Sequence, residues 1–132
     1  MMFAFSIDSM RRNIVIIDDC ELIKLSLLKT LPDYAPAFQF YDNLSAALKE
    51  LRQAQSKQKY IFVLDLEIVT QDGIREITGI LPRDYCDIIV LTSMPLAHVE
   101  IETGGVTVGK IFTKPFNVRE LTEEILRLEN AI

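Results

Sequence analysis

Four short hydrophobic runs, rich in β-branched residues, constrain the fold of this chain more than any other feature of its sequence. Each run stops at a polar residue, and the runs with these residues are 14–17 with Asp18 and Asp19, 61–64 with Asp65, 88–91 with Thr92, and 110–113 with Lys114. Runs of this length and composition are typical of strands buried on both faces, and such strands are usually parallel. Because ligands bind beyond the carboxyl ends of the strands in an open parallel sheet, we expect these polar side chains to converge on one rim.

Helical patterns separate the hydrophobic runs. The spacing of apolar residues predicts helices over 20–31, 44–51, 73–81 and 118–132, and a shorter second strand over 37–41. Pro32 and Pro82 end two of these helices, and Asp42 or Asn43 can cap the second. Residues 95–103 show only a weak helical stripe. Strand and helix patterns that alternate in this way predict an α/β fold with a five-stranded, doubly wound parallel sheet.

The length and composition are those of one small globular domain. A chain of 132 residues should bury roughly two thirds of its unfolded surface. A net charge of −5 argues against a large nucleic-acid footprint, and no apolar stretch is long enough for a transmembrane helix. Cys20 and Cys86 lie far apart and have no metal-ligand spacing, so we expect both thiols to stay reduced in the cytoplasm. We expect no membrane partner. Residues 1–12 are expected to be an N-terminal extension, and residues 13–132 to form the domain.

The polar residues at the expected rim suit phosphoryl transfer. Asp18, Asp19 and Asp65 supply the hard oxygen ligands that Mg²⁺ prefers. Clustered carboxylates repel one another, so Lys114 is the expected compensating charge. A carboxylate beside a metal can attack phosphorus and form an aspartyl phosphate, while an ammonium and the hydroxyl of Thr92 bind the phosphoryl oxygens. Each residue alone has a plainer interpretation as a helix cap or a turn residue, but the joint pattern favours phosphoryl transfer to Asp65.

Over residues 13–130 the chain resembles the receiver domains of two-component response regulators. The motifs that carry this resemblance are Asp18-Asp19, Asp65 with its spacing to Asp72-Gly73, Leu91-Thr92-Ser93, and Lys114-Pro115-Phe116. The resemblance implies a flavodoxin-like (βα)5 fold with the strand order 2-1-3-4-5. It also implies that the peptide bond between Lys114 and Pro115 is cis.

By this resemblance, Asp65 would accept a phosphoryl group from a histidine kinase or a histidine phosphotransfer protein. The implied ligands of Mg²⁺ are Asp18, Asp19, Asp65 and the backbone carbonyl of Glu67, and the implied ligands of the phosphoryl oxygens are Thr92 and Lys114. Such a domain switches protein contacts and is not an enzyme beyond self-phosphorylation and autodephosphorylation. The face that the fourth helix, fifth strand and fifth helix of that fold form would allow a homodimer. The domain itself would not bind nucleic acid directly.

The chain departs from the family pattern at two places. Family members commonly carry Met-Pro where this chain has Ile68-Val69. They also usually carry Tyr or Phe three residues before the Lys, and that aromatic side chain swings inward on activation. Here this position is Ile111. The resemblance therefore covers the chemical site but not the residue that usually reports its phosphorylation.

Alternatives to a stand-alone receiver stay open. The first is the N-terminal receiver of a larger regulator with a DNA-binding or second-messenger effector domain. A remote alternative is a haloacid-dehalogenase-like phosphatase. The motifs of those enzymes are similar to Asp65 with Glu67, to Thr92 and to Lys114. Their acidic pair, however, comes last in the motif order, whereas Asp18-Asp19 comes first in this chain. The pattern G-x-x-x-x-G-K over residues 104–110 lacks the Ser or Thr of a nucleotide-binding P-loop, because Ile111 follows it.

Overall fold

The computed structural model of the chain describes residues 12–53, 59–81, 86–93 and 108–130. Within these ranges, five parallel strands form one sheet in the order β2-β1-β3-β4-β5. The strands are β1 (Asn13–Ile17), β2 (Phe38–Tyr41), β3 (Tyr60–Asp65), β4 (Cys86–Thr92) and β5 (Val108–Thr113). The predicted parallel sheet and its strand order are confirmed. The order changes direction between β1 and β3, so a crevice opens beyond the carboxyl ends of these two strands.

Four α-helices within the same ranges cover the sheet. They are α1 (Glu21–Thr30), α2 (Leu44–Gln53), α3 (Gln71–Ile80) and α4 (Val118–Asn130). After α1, a 3₁₀ helix spans Pro32–Ala37, so β2 begins at Phe38, one residue later than the sequence predicted. Residues 95–103, with their weak helical stripe, lie outside the described residues. None of the described helices is both long enough and apolar enough to cross a membrane.

Alternate side chains of the strands fill two apolar cores, one on each face of the sheet. One core contains Val15 and Phe62 and packs against α2 and α3. The other contains Ile16 and Val63 and packs against α1 and α4. Burial on both faces explains why the strands are continuous apolar runs without alternation, and why all of β3 is buried. The strand ends are therefore where polar side chains reach solvent.

The helix starts near the site are fixed by local hydrogen bonds. The side-chain oxygen Oδ1 of Asn43 accepts a hydrogen bond from the Ala46 N–H at 2.9 Å, so Asn43 rather than Asp42 is the cap of α2. Thr70 caps α3, because its hydroxyl accepts a hydrogen bond from the Gly73 N–H at 3.4 Å. The helix predicted to open at Gly73 therefore begins two residues earlier, at Gln71.

Gly73 lies at a close approach between α3 and its neighbours. A Cβ atom added there would lie 2.8 Å from the Leu44 Cδ2 atom and 3.0 Å from the Val69 Cγ1 atom. Gly79, further along the same helix, has no atom within 4 Å of its added Cβ. Of these two glycines, only the first is therefore required by packing.

Arg12 is buried at the amino-terminal edge of the sheet, with 5% of its side chain exposed. Its Nη1 atom lies 2.5 Å from the Asp87 Oδ2 atom in β4, and its Nη2 atom donates to the Tyr60 carbonyl oxygen in β3 at 2.8 Å. Its backbone N–H donates to the Glu129 carboxylate near the end of α4. Arg12, expected to belong to the N-terminal extension, thus joins two strands and the last helix. The division into residues 1–12 and 13–132 stays a prediction.

Candidate functional site

Three carboxylates meet at the carboxyl edge of the sheet. Asp65 ends β3, and Asp18 and Asp19 follow β1, the neighbouring strand in the sheet. One oxygen from each lies within 4.8 Å of the others. The Asp65 and Asp18 side chains are almost completely buried, whereas Asp19 is exposed. The predicted cluster is therefore formed, with one carboxylate open to solvent.

Lys114, just after β5, supplies the positive charge of the site. Its Nζ atom lies 2.9 Å from the Asp65 Oδ2 atom and 3.4 Å from the Asp18 Oδ2 atom. Its backbone N–H donates to the Thr92 carbonyl oxygen at 2.7 Å, and its peptide bond to Pro115 is cis, as the resemblance implied. Burial disfavours the charged lysine, but the hydrogen bond with Asp65 and the charges of Asp65 and Asp18 outweigh burial and raise its pKa.

Asp18 has the surroundings of a cation ligand. Its Oδ1 atom accepts a hydrogen bond from the Cys20 N–H at 2.8 Å, while its buried Oδ2 atom accepts no well-aligned hydrogen bond from the described residues. Burial raises the pKa of this carboxyl group, against the opposing effects of the Cys20 N–H and the charge of Lys114. A buried carboxylate oxygen whose neighbour is the Lys114 ammonium at 3.4 Å, without a well-aligned hydrogen bond and beside two more carboxylates, fits a hard divalent cation such as Mg²⁺.

The loop after β3 holds the other side of Asp65. The Glu67 N–H donates to the Asp65 Oδ1 atom at 2.9 Å, and the N–H groups of Ile68 and Val69 donate to the Asp65 carbonyl oxygen at 3.0 and 2.7 Å. Each carboxylate oxygen of Asp65 thus has a donor, either an amide or an ammonium. The turn fixes the orientation of the carboxylate. The assignment of the Glu67 carbonyl to a metal stays a prediction.

Thr92 ends β4, the strand next to β3. Asp65 pairs with Leu91, so Thr92 lies one residue beyond the level of Asp65, and 1% of it is exposed. Its place on the rim agrees with the sequence prediction, and its contact with phosphoryl oxygens stays a prediction. Ile111 lies opposite Val90 and is partly buried against the core beneath α2 and α3.

Solvent reaches the acidic side chains through a cleft between β2 and the start of α1. The cleft has a volume of about 440 Å³, and Asp18, Asp19, Glu21, Lys24 and Asp42 are among its lining residues. An ion or a charged partner can thus approach Asp18 and Asp19 from this side, whereas Asp65 is buried and is not among the lining residues.

Sequence reasoning missed one contact at the site. The Ser93 hydroxyl donates a hydrogen bond to the Glu67 carboxylate and so joins the end of β4 to the loop after β3. Both residues stand in motifs that the sequence shows, two residues after Asp65 and one after Thr92. Their spacing of 26 residues gives no local signal of contact.

No protein-family model matches the chain, and no curated protein matches it. Solved structures do match, and many of them are response regulator receiver domains that cover most of this chain.

Two of these structures contain a divalent cation, and a third is one domain of a larger protein. The receiver domain of a sensor histidine kinase from Pseudomonas aeruginosa, with magnesium coordinated in its active site cleft, has a TM-score of 0.65 at 16% identity and covers 92% of this chain and 99% of its own. A response regulator from Burkholderia pseudomallei, with a phosphorylated aspartic acid and calcium, has a TM-score of 0.63 at 20% identity, and the match covers 91% of this chain and 73% of that protein. The N-terminal domain of a three-domain response regulator/sensory box/GGDEF protein from Carboxydothermus hydrogenoformans has a TM-score of 0.63 at 18% identity, and the match covers 89% of this chain and 96% of that domain. The chain has the fold of these receiver domains.

Proposed function

We propose that this chain is a phosphoryl-accepting receiver domain, and that Asp65 takes its phosphoryl group from a histidine kinase or a histidine phosphotransfer protein. One observation carries the proposal. Asp65 lies buried at the end of β3, with the Lys114 Nζ atom at 2.9 Å and oxygens of Asp18 and Asp19 within 4.8 Å. This arrangement brings a buried carboxylate, the Lys114 ammonium and two further carboxylates suited to a cation into one crevice.

The residues divide the transfer between them. A carboxylate oxygen of Asp65 attacks the phosphorus of the donor phosphohistidine, so a P–O bond forms and the P–N bond breaks. The other nitrogen of the donor ring carries a proton, so the ring leaves as neutral imidazole when the electron pair of the broken bond stays on the first nitrogen. Lys114 and Thr92 bind the phosphoryl oxygens, because transfer of this kind depends mainly on alignment and charge stabilisation.

Asp18, Asp19, Asp65 and the backbone carbonyl of Glu67 would hold Mg²⁺. The ion would neutralise the negative charge that the carboxylates and the phosphoryl group bring together. The receiver domain with magnesium in its active site cleft and the response regulator with a phosphorylated aspartic acid support this part of the proposal. Asp18 adds support from this chain, because its buried Oδ2 atom accepts no well-aligned hydrogen bond from the described residues.

The proposed output is a change of protein contacts in the cytoplasm, without catalysis beyond self-phosphorylation and autodephosphorylation. The partner is a kinase, a phosphotransfer protein or a second copy of the chain. A second copy would bind through β5, α4 and the segment that precedes β5, and that segment lies outside the described residues. The N-terminal receiver of a larger regulator stays the alternative, supported by the receiver-like N-terminal domain of the three-domain protein.

The Asp65→Asn variant tests the proposal. Incubation with labelled acetyl phosphate and Mg²⁺ should label the wild-type protein and leave this variant unlabelled. Asp72→Asn is the matched control, because Asp72 is an exposed aspartate on α3 whose side chain is 84% accessible, and it should be labelled like the wild type. Undiminished labelling of Asp65→Asn would contradict the assignment.

The phosphatase alternative predicts a different result. It would need the Glu67 carboxylate, which is exposed on the loop after β3, to act at the site as a general acid. Steady turnover of a small phosphomonoester would favour this alternative over the receiver.

A further inference from the structure

A second cavity, called the edge cavity below, lies between the edge strand β2 and helix α2. It has a volume of about 230 Å³. Its polar lining residues are Gln39, Tyr41, Glu50, Gln53 and Tyr60, and the other described residues that line it are aliphatic. Asp18 and Asp19 do not line the edge cavity, so it is separate from the acidic cleft, although Tyr41 lines both.

The sequence of β2 accounts for the edge cavity. In the sheet, Gln39 lies beside Val15 of β1, and Tyr41 lies beside Ile17. Val15 and Ile17 belong to the buried core on this face, whereas β2 carries an amide and a phenol at the neighbouring positions. Both of these polar residues are half-buried. A polar edge strand that α2 covers incompletely thus leaves a recess with hydrogen-bonding groups in its wall.

The hydrogen bonds in this wall use donors and leave acceptors. The Tyr41 hydroxyl donates to the Gln39 Oε1 atom at 3.5 Å, and the Gln39 Nε2 atom donates to the Asn13 Oδ1 atom at 3.4 Å. The Tyr41 oxygen keeps its lone pairs. Glu50, exposed on α2, adds a carboxylate, which when ionised has acceptors only. A ligand with several hydrogen-bond donors therefore complements the edge cavity.

The charge at the edge cavity is negative. Glu50 is the only charged residue among the described residues that line it. The pKa of Tyr41 is raised, chiefly by burial and then by the charge of Glu50, so the phenol stays neutral and lies within reach of the field of that carboxylate. A neutral aromatic ring beside a carboxylate attracts a cation, because the ring face and the carboxylate are both negative.

We propose that the edge cavity binds a small organic cation with a guanidinium head group. Such a group is planar, carries several N–H donors and stacks on aromatic rings, so it matches a carboxylate, amide oxygens and phenols in one wall. The cavity is smaller than the roughly 300–1,000 Å³ of pockets for drug-sized ligands, so the ligand is small. The proposal is independent of phosphoryl transfer, because none of the three clustered aspartates lines the edge cavity.

Ethylguanidinium and ethylurea are matched probes for this site. They have nearly the same shape and size, but ethylurea is neutral and carries a carbonyl oxygen in place of one amino group. In NMR spectra of the backbone amides with excess Mg²⁺, ethylguanidinium should shift the signals of Gln39, Ala47 and Leu51 and saturate with a Kd on the order of 1 mM. Ethylurea should leave these signals in place. Tyr41 is not used as a reporter, because it also lines the acidic cleft.

Two substitutions of exposed glutamates complete the test. Glu50→Gln keeps the shape of the side chain and should raise the Kd of ethylguanidinium by about tenfold, the effect of removing one charged acceptor. Glu123→Gln is the control, because Glu123 is exposed on α4, which packs on the opposite face of the sheet, and its Kd should equal that of the wild type.

Four results would overturn the proposal. They are the absence of saturable shifts with ethylguanidinium, equal shifts with ethylurea, an unchanged Kd in Glu50→Gln, and shifts centred on residues 18–20. The last result would place the cation in the acidic cleft. Each of them would leave the role of Asp65 untouched, and a protein that takes no label from acetyl phosphate would leave the edge cavity untouched.

Discussion

Replacing Arg12 by Ala should lower the free energy of unfolding by about 3 kcal/mol. The substitution removes a guanidinium group that is buried at the amino-terminal edge of the sheet and hydrogen-bonded to the Asp87 carboxylate and the Tyr60 carbonyl. It leaves the Asp87 carboxylate without this partner and the Tyr60 carbonyl without this donor. Because the contacts join β3, β4 and the residue before β1, their loss should weaken the whole sheet.

The magnitude follows from the surroundings of each group. A hydrogen bond to a charged group contributes about 1.5–3 kcal/mol, and breaking a buried ion pair costs about 3–5 kcal/mol. Two features reduce this cost. The Asp87 side chain is 30% exposed, so water can solvate part of its charge after the substitution. The buried Nε atom of Arg12 has no hydrogen-bond partner among the described residues, so the substitution also removes the cost of burying that donor. The lower end of the range is therefore expected.

Urea denaturation followed by circular dichroism would measure this loss. Arg12→Met keeps most of the apolar stem and separates its packing from the charge. A double-mutant cycle with Asp87→Asn should give a coupling energy of about 1.5 kcal/mol. Arg52→Ala is the control, because its ion pair with Glu76 spans 3.8 Å between exposed side chains and should contribute under about 0.5 kcal/mol. An Arg12→Ala variant as stable as Arg52→Ala would refute the reasoning.

Three further predictions concern packing, acid stability and thiol reactivity. Gly73→Ala should destabilise the protein by about 1 kcal/mol through overpacking, whereas Gly79→Ala, with open space, should stabilise it by about 0.5–1 kcal/mol in thermal unfolding. The pKa of Glu124 is lowered, chiefly by its hydrogen bond from Arg127. Its contribution to stability is therefore present above the pKa of the unfolded chain and is lost as the pH falls through the pKa of the folded protein. In urea titrations at several pH values, Glu124→Gln should reduce the loss of stability at acid pH. Burial raises the pKa of Cys86 to about 12, so iodoacetamide should modify the partly buried Cys20 in the native protein and reach Cys86 only after unfolding, as peptide mapping would show.

The architecture and the acidic cluster could be predicted because they depend on regular patterns. Strands buried on both faces leave continuous apolar runs, and parallel strands bring their carboxyl ends to one edge. Asp18, Asp19 and Asp65 therefore meet whatever the details of the loops. Lys114 meets them for the same reason, from the end of the edge strand β5.

The remaining features depend on contacts that leave no periodic trace. Arg12 follows another arginine in a segment that resembles an extension, and its partner Asp87 is 75 residues away. Ser93 and Glu67 lie in separate motifs whose side chains meet only in the folded chain. The sequence pattern does not predict the 3₁₀ helix at Pro32–Ala37, because Pro32 indicates the end of one helix, although proline also suits the first turn of the next.

Chemical mapping of the acceptor tests the central claim most directly. Borohydride reduces an acyl phosphate to the alcohol, so a phosphorylated aspartate becomes homoserine and can be located in a peptide map. After incubation with acetyl phosphate and Mg²⁺, homoserine should appear at position 65, and its amount should fall when the ion is chelated. Homoserine at Asp18 or Asp19, or label uptake without homoserine at position 65, would contradict the proposed role of Asp65.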